Sequence, residues 1–380
     1  MSGNASPGGG DRTAALAFVG GLLTAGSIAI AIFVFLGIRL GFSAIWEEAG
    51  LILTGSVLDM PSPLIEELAA MEAVIENAGN PTGAREHDTM LVRTDAELGW
   101  VLRPGVSVDA YQVRSADSVN LDPPVVYVRS GSSLSPALQA YLAKNTRVRY
   151  SYNIDADGFR RTLPEVEAAR KILMVGDSGL FGVGVDDDAT IASNLQQRVG
   201  SSYRVVNAGV AGYNGKGAFR AARKLSDQEP YALLVYVAHN NDFYKPRHIS
   251  NPDRARRVMA DFETLRGRFP EGIVVALISF LEHTGEDVLL SQGWRRRERV
   301  EAADRLRREF PALARAAGFA FVNWSDIVDE VRQRERTIFA PFSLYVDHAH
   351  LSPRATRLFA ERIHALFPEA ARLRAAAEGG

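Results

Sequence analysis

Two short segments far apart in the chain hold residues able to run acyl-transfer chemistry together. Gly176-Asp177-Ser178-Gly179 directly follows the apolar run Lys171-Ile172-Leu173-Met174-Val175 and precedes a helical pattern. A serine there would present its hydroxyl at a strand-to-helix turn, with its own amide near the positive end of the helix, which suits a nucleophile that generates a neighbouring oxyanion. The same Asp-Ser pair would also serve as a helix cap, the commonest use of these residues at such a place. A phosphate loop is disfavoured, because no Lys-Ser or Lys-Thr pair closes the glycine-rich stretch. A serine nucleophile needs a base, and the base needs an orienting carboxylate. Asp347-His348-Ala349-His350 supplies both near the other end of the domain. One turn of loop or helix can set the Asp347 carboxylate against one ring nitrogen of His350 and leave the other facing Ser178. That spacing predicts Ser178 as nucleophile, His350 as general base and then acid, and Asp347 as the group that fixes the imidazole tautomer. The competing reading makes Asp347 a cap of the final helix and both histidines ordinary loop residues.

A tetrahedral intermediate also needs hydrogen-bond donors. Asn207-Ala208-Gly209-Val210-Ala211-Gly212-Tyr213-Asn214 has glycines that let backbone amides approach a substrate, and Ala238-His239-Asn240-Asn241-Asp242 has amide side chains that can donate. Each is an ordinary post-strand loop when taken alone. The Asp186-Asp187-Asp188 run reads as a solvated loop ahead of a helix starting near Thr190, rather than as a cation site.

The elements that must position these groups follow from the pattern. From Arg170 onward, β-type runs (KILMV, YRVVN, ALLVYVA, IVVALIS, FAFVN) alternate with amphipathic stretches near 189–199, 217–225, 253–268 and 299–316 and with a closing helix from Pro353. This predicts a parallel sheet covered by helices on both faces, with ligands at the carboxyl ends of its strands. Upstream, LGWVLRPG, VVYVRSG and RVRYSYNIDADGFR are short β-prone runs broken by turns, so 89–165 is expected as a small β-rich accessory region ahead of a catalytic domain at 166–370. Further upstream, 1–12 is a small, polar tail, and 41–88 is a juxtamembrane segment and linker with a helix expected over Pro61–Asn77.

Thr13–Ile38 is uncharged between Arg12 and Arg39. As a helix it would span roughly 39 Å, enough to cross a bilayer with some tilt and too long for the apolar region of a cleaved signal peptide. Residues 13–40 are therefore expected as a transmembrane anchor. Arg12 with the terminal amine on one side, against Arg39 on the other, slightly favours a cytoplasmic N-terminus.

The chain has 380 residues, 47% hydrophobic and 23% charged, which excludes wholesale disorder. With 43 Lys plus Arg against 45 Asp plus Glu, the net charge is −2, and no basic surplus exists to hold a nucleic acid. There is no cysteine, which removes disulfides, thiolate nucleophiles and cysteine-bound zinc. A His-x-His pair without a third ligand cluster leaves neither a metal nor another cofactor expected.

In order, GDSGLFGVG at Gly176–Gly184, NAGVAGYN at Asn207–Asn214, HNND at His239–Asp242 and DHAH at Asp347–His350 resemble the blocks of the SGNH (GDSL-like) hydrolase family. The resemblance covers Lys171 to Phe367, about half of the chain. It implies a flavodoxin-like three-layer αβα sandwich, with Ser178, Gly212 and Asn241 as oxyanion donors and Ser178, Asp347 and His350 as the triad. The third block departs from the usual Gly-x-Asn-Asp by having His239 in the glycine position, which is expected to set a bulky, titratable group beside the pocket. With LGWVLRPG, NIDADGFR and an N-terminal span, the chain is similar to membrane-anchored bacterial members that remove or transfer acyl groups on envelope or exported polysaccharides. The expected function is thus a serine esterase, or acyltransferase, acting on an acylated carbohydrate outside the cytoplasmic membrane. The alternatives are a lipase-type esterase and a non-catalytic glycan-binding or scaffold protein on the same fold.

Overall fold

A β-rich layer precedes the alternating part of the chain. Helix α1 (Ser62–Ala70) is followed by β1 (Val74–Glu76), β2 (Val92–Asp95), β3 (Gly99–Leu102), β4 (Ser107–Val113), β5 (Val125–Arg129), α2 (Pro136–Asn145) and β6 (Thr146–Asn153). Strands β1, β5, β4 and β6 form one antiparallel sheet in that order, and β2 and β3 form a separate hairpin. This computed structural model describes residues 62–71, 74–76, 90–113, 125–239, 242, 244–245, 249–250, 252–279, 305, 307–336, 343–347 and 349–378.

Alternation along the strands decides what each face covers. Val126 and Val128 turn toward Leu64 and Leu68 of α1 and Leu138 and Leu142 of α2. Val108, Ala110, Val125, Tyr127, Tyr150 and Tyr152 turn the other way, into a core shared with the parallel sheet. The β-rich region and the parallel-sheet region are therefore joined by apolar packing.

Two local differences from the sequence reading have plain causes. The helix expected over Pro61–Asn77 stops at Ala70, and Val74–Glu76 pairs instead with β5. The β-branched pair Val74-Ile75 suits a strand, and ladder hydrogen bonds to β5 replace the helical ones. Helix α2 stands where only strands are expected; Ser135 caps it by accepting from the Leu138 amide, and Pro136 opens its first turn.

From Lys171 the order is β7 (Lys171–Gly176), α3 (Ser178–Phe181), α4 (Ile191–Val199), β8 (Arg204–Gly209), α5 (Gly215–Gln228), β9 (Leu233–His239), the short pair β10 (Tyr244–Lys245) and β11 (Ile249–Ser250), α6 (Pro252–Glu263), β12 (Ile273–Ile278), α7 over 307–316, β13 (Ala320–Asn323), α8 (Trp324–Glu335), α9 (Pro353–Ala365) and α10 (Phe367–Glu378). The sheet β13-β12-β9-β7-β8 is parallel throughout. Numbered by their own sequence, its strands run 2-1-3-4-5, the flavodoxin-like order, whose switch point lies between β7 and β9.

The strands are continuous apolar runs because both faces are covered. Leu173, Val175, Tyr236, Val275 and Leu277 meet α5, α6 and α7 through Ala222, Phe262 and Phe310. Ile172, Met174, Val235, Val237 and Ala276 meet α4, α8 and α9 through Leu195, Val328 and Phe359. Helix α8 is absent from the sequence reading, although its signals are regular: Asn323 caps it, Asp326 lies in its first turn, and Trp324, Ile327, Val328 and Val331 form its buried stripe.

Register brings the strand ends level. Gly176 pairs with Gly209 on one side and Val237 on the other, and Ile278 with His239. The loops after β7, β8 and β9 therefore open at one edge of the sheet. By its internal contacts the chain divides into two units, and every described residue lies in the larger, Gly55–Asp287 with Arg295–Gly380. Among the described residues no helix is long and apolar enough to cross a membrane. The span expected at 13–40 lies outside the described residues.

Candidate active site

Strand β7 closes on a glycine because nothing larger fits: a Cβ at Gly176 would lie 2.5 Å from the Val237 carbonyl oxygen. Asp177 then caps α3, its Oδ1 accepting from the Gly179 amide at 2.8 Å. The capping role open to the Asp-Ser pair is thus filled by Asp177, which leaves the Ser178 hydroxyl for another partner. That partner is His350, whose Nε2 stands 2.9 Å from Ser178 Oγ. On the other side of the ring, Nδ1 is 2.6 Å from Asp347 Oδ2. Asp347 Oδ1 accepts from the amides of Ala349 and His350, each at 2.7 Å, so the loop's own backbone fixes the carboxylate that fixes the ring. With Nδ1 donating to Asp347, Nε2 is left as the acceptor for the serine proton. The arrangement can deprotonate a hydroxyl as it attacks a carbonyl carbon and then protonate a leaving alcohol.

Asn207 and Gly209 join the serine helix to the next loop. A Cβ at Gly209 would lie 2.5 Å from the Phe181 amide nitrogen. The buried Asn207 side chain donates to Leu180 O at 3.1 Å and accepts from the Gly209 amide at 3.1 Å. Beyond it, the Tyr213 amide donates to Val210 O at 3.1 Å, closing a turn with Gly212 in its third position at φ 84°. A type II turn requires that conformation, and only glycine adopts it without strain. Asn241 and His348 lie outside the described residues.

The upstream motifs reach this site directly. Trp100 of LGWVLRPG donates from Nε1 to Ala211 O at 3.3 Å, and the Tyr213 hydroxyl donates back to Trp100 O at 2.6 Å. Arg160 of NIDADGFR is fully buried. It donates to Val185 O at 3.0 Å and Ser151 O at 3.1 Å, ion-pairs with Asp187 at 2.9 Å, and lies over the rings of Tyr152 and Phe181. Asp187 is accordingly no solvated loop residue. It is 6% exposed, and the neighbouring Asp186 accepts from the Ser151 amide at 2.7 Å. Burial pushes the Asp187 carboxyl up and the guanidinium of Arg160 opposes it; burial likewise lowers Arg160. The sequence signal was a lone arginine at the end of a turn motif, with nothing to name its partner.

His239, in the usual glycine position of the third block, stands beside the residues that flank Ser178 and His350. Its ring is buried, with Nε2 3.4 Å from Ala349 O and Nδ1 3.8 Å from Asp177 Oδ2. It therefore packs between the serine loop and the histidine loop. Next to it, buried Asp242 accepts from Tyr236 Oη at 2.7 Å and the His239 amide at 3.1 Å. Burial, reinforced by the nearby Asp177 carboxylate, holds the Asp242 carboxyl well above the usual carboxylate range. Among the described residues no group of three or more His, Asp and Glu is placed to hold a metal ion.

No family model matches the sequence, and no curated protein matches it. Among solved structures the chain is similar to a member of the lipolytic protein G-D-S-L family from Veillonella parvula, at 14% identity over 53% of this chain and 99% of that one, TM-score 0.41. It is also similar to a carbohydrate acetylesterase family member from Sinorhizobium meliloti, at 16% identity over 54% and 99%, TM-score 0.38. A third is an acetylxylan esterase from Geobacillus stearothermophilus, at 17% identity over 53% and 94%, TM-score 0.41. The chain's own five-stranded parallel sheet, in the order 2-1-3-4-5 with helices on both faces, is the fold that its resemblance to the SGNH hydrolases implies.

Proposed function

We propose that the protein is a serine esterase that works through an acyl-enzyme on Ser178. One observation carries this reading: the Ser178 Oγ, His350 Nε2 contact at 2.9 Å in line with the His350 Nδ1, Asp347 Oδ2 contact at 2.6 Å. Ser178 Oγ attacks the ester carbonyl carbon as its proton passes to His350 Nε2. The carbonyl π pair moves to oxygen, where the amides of Ser178 and Gly212 and the side chain of Asn241 are assigned to receive the charge. Collapse of the tetrahedral intermediate expels the alkoxide, which takes the proton from His350. The acyl-serine is then cleared by water or by another hydroxyl through the same steps in reverse.

The substrate we assign is an O-acyl, chiefly O-acetyl, group on a cell-envelope or exported polysaccharide. Residues 13–40 are assigned as a single-pass anchor, with the catalytic domain on the outer face of the cytoplasmic membrane. The resemblance of the upstream motifs and the uncharged stretch Thr13–Ile38 support both assignments. Hydrolysis of p-nitrophenyl acetate and p-nitrophenyl palmitate by the full-length protein, with and without Ser178→Ala, is the test. Acetate turnover lost in the variant supports the reading; preference for palmitate sinks the acetyl assignment, and activity that survives Ser178→Ala sinks the nucleophile.

A further inference from the structure

We propose that Trp100 is a positioning residue for the oxyanion site, and that the β2–β3 hairpin is thereby part of the catalytic apparatus. This rests on the esterase reading and goes further, because it gives a segment outside the four blocks a place in the reaction.

The turn at Val210-Ala211-Gly212-Tyr213 is closed by the Tyr213 amide on Val210 O, so its central peptide joins Ala211 C=O to Gly212 N–H. That central peptide takes no part in the closing bond. In a β-turn it is free to rotate as a plate, and such a rotation interconverts types I and II. The peptide is planar and trans, so its C=O and N–H point in opposite directions. Whatever grips the Ala211 oxygen therefore aims the Gly212 amide the other way. Trp100 Nε1 grips that oxygen, at 3.3 Å.

The grip is itself held in place. The Tyr213 hydroxyl, from the last residue of the same turn, donates to Trp100 O at 2.6 Å, and the two rings meet edge to face at 5.7 Å. One pair along the hairpin, where Asp95 faces Gly99, Lys224 Nζ on α5 donates to Asp95 Oδ2 at 3.1 Å. The end of the hairpin that carries Trp100 is thus tied both to the turn and to the helix that follows it. A donor on the Ala211 oxygen also polarises the peptide and strengthens the Gly212 N–H as a donor. An oxyanion donor must stand ready before charge develops, so holding the plate in one orientation is worth rate rather than substrate affinity.

The test is Trp100→Phe in the full-length protein, which keeps a six-membered ring to pack against Tyr213 and removes the N–H together with the rest of the pyrrole ring. With p-nitrophenyl acetate, kcat is expected to fall about tenfold while KM stays within about twofold, a fraction of the cost of deleting an oxyanion donor outright. Inhibition by phenylboronic acid, whose tetrahedral adduct on serine mimics the intermediate, should weaken by the same factor as kcat. A merely structural role would lower the melting temperature without that proportionality. Tyr213→Phe loosens the same clamp from the other side and is expected to shift kcat and boronate inhibition in the same direction by less. Parent-like kcat in both variants overturns the inference and leaves the esterase reading standing. A parent that neither turns over the ester nor is labelled by a fluorophosphonate overturns the esterase reading, and the inference falls with it.

Discussion

Arg160 and Asp187 form a buried ion pair, 2.9 Å apart, between the end of the β-rich region and the loop that follows the serine helix. Arg160 brings the rings of Tyr152 and Phe181 against its guanidinium, and its main-chain amide donates to Asn207 O on β8. This residue thereby fastens the upstream layer to the segment after Ser178 through its side chain and to β8 through its amide. The pair lies against the apolar core that the parallel sheet and the β-rich layer share, where Tyr152 and Phe181 pack together.

Arg160→Met is expected to lower the unfolding free energy by about 3–5 kcal/mol, because it strands a buried carboxylate. Without its partner the folded-state pKa of Asp187, already raised by burial, rises further. A group whose folded pKa is raised loses stability as pH climbs from its unfolded value toward the folded one. The deficit against the parent should therefore be smaller near pH 5 than near pH 8. Denaturant midpoints at the two values check this, and a pH-independent deficit would contradict it.

Ser178→Ala and His350→Ala should each cut turnover by at least about 10³-fold, and the double variant should lose little more, since the two residues act as one unit. Melting temperatures near the parent's would assign the loss to chemistry. Losses that multiply in the double variant would mean that the two side chains act independently.

Asp347→Asn should reduce kcat by about 10⁴-fold while the fold survives, because an amide in place of Oδ2 no longer enforces the tautomer with Nε2 as acceptor. In the parent, kcat/KM should fall as pH drops through the imidazole range, with unit slope, since His350 must be neutral to take the serine proton. A flat profile, with chemistry shown to be rate-limiting, would remove His350 from the role of base.

Asn241→Ala tests the donor whose position the described residues leave out. A loss of about 10² to 10³ in kcat at little change in KM is expected if its side chain meets the oxyanion. Parent-like kcat would assign the oxyanion to the Ser178 and Gly212 amides alone.

Asp242→Asn addresses the carboxyl that burial and Asp177 hold far above its ordinary range. In the parent its contribution is complete below the unfolded value of about 4 and is lost as pH rises through the folded one. Asparagine keeps an acceptor for Tyr236 and the His239 amide without that titration. The melting temperature of the variant should therefore decline less than the parent's between pH 4 and pH 8. Parallel curves would show that Asp242 is ionised in the native protein.

Chemistry that depends on residue type and local order was legible in the sequence. The apolar runs from Lys171 announce a buried parallel sheet because a strand covered on both faces must be apolar throughout. Gly176-Asp177-Ser178 and Asp347 to His350 could be paired in advance because a serine at a strand end and a histidine beside a carboxylate have complementary needs. What sequence could not settle was which residue of Asp177-Ser178 would cap the helix. That depended on the Gly179 amide lying 2.8 Å from Asp177 Oδ1 and on His350 arriving from 172 positions away. Nor could it foresee that Val74–Glu76 would leave a helical pattern for the edge of β5, or that Asp187 would be buried against Arg160. These outcomes are set by partners distant in sequence, whose burial and hydrogen bonds outweigh local propensity by more than propensity can supply. The hold of Trp100 on Ala211 spans 111 positions, so only the folded chain could place the hairpin at the catalytic edge.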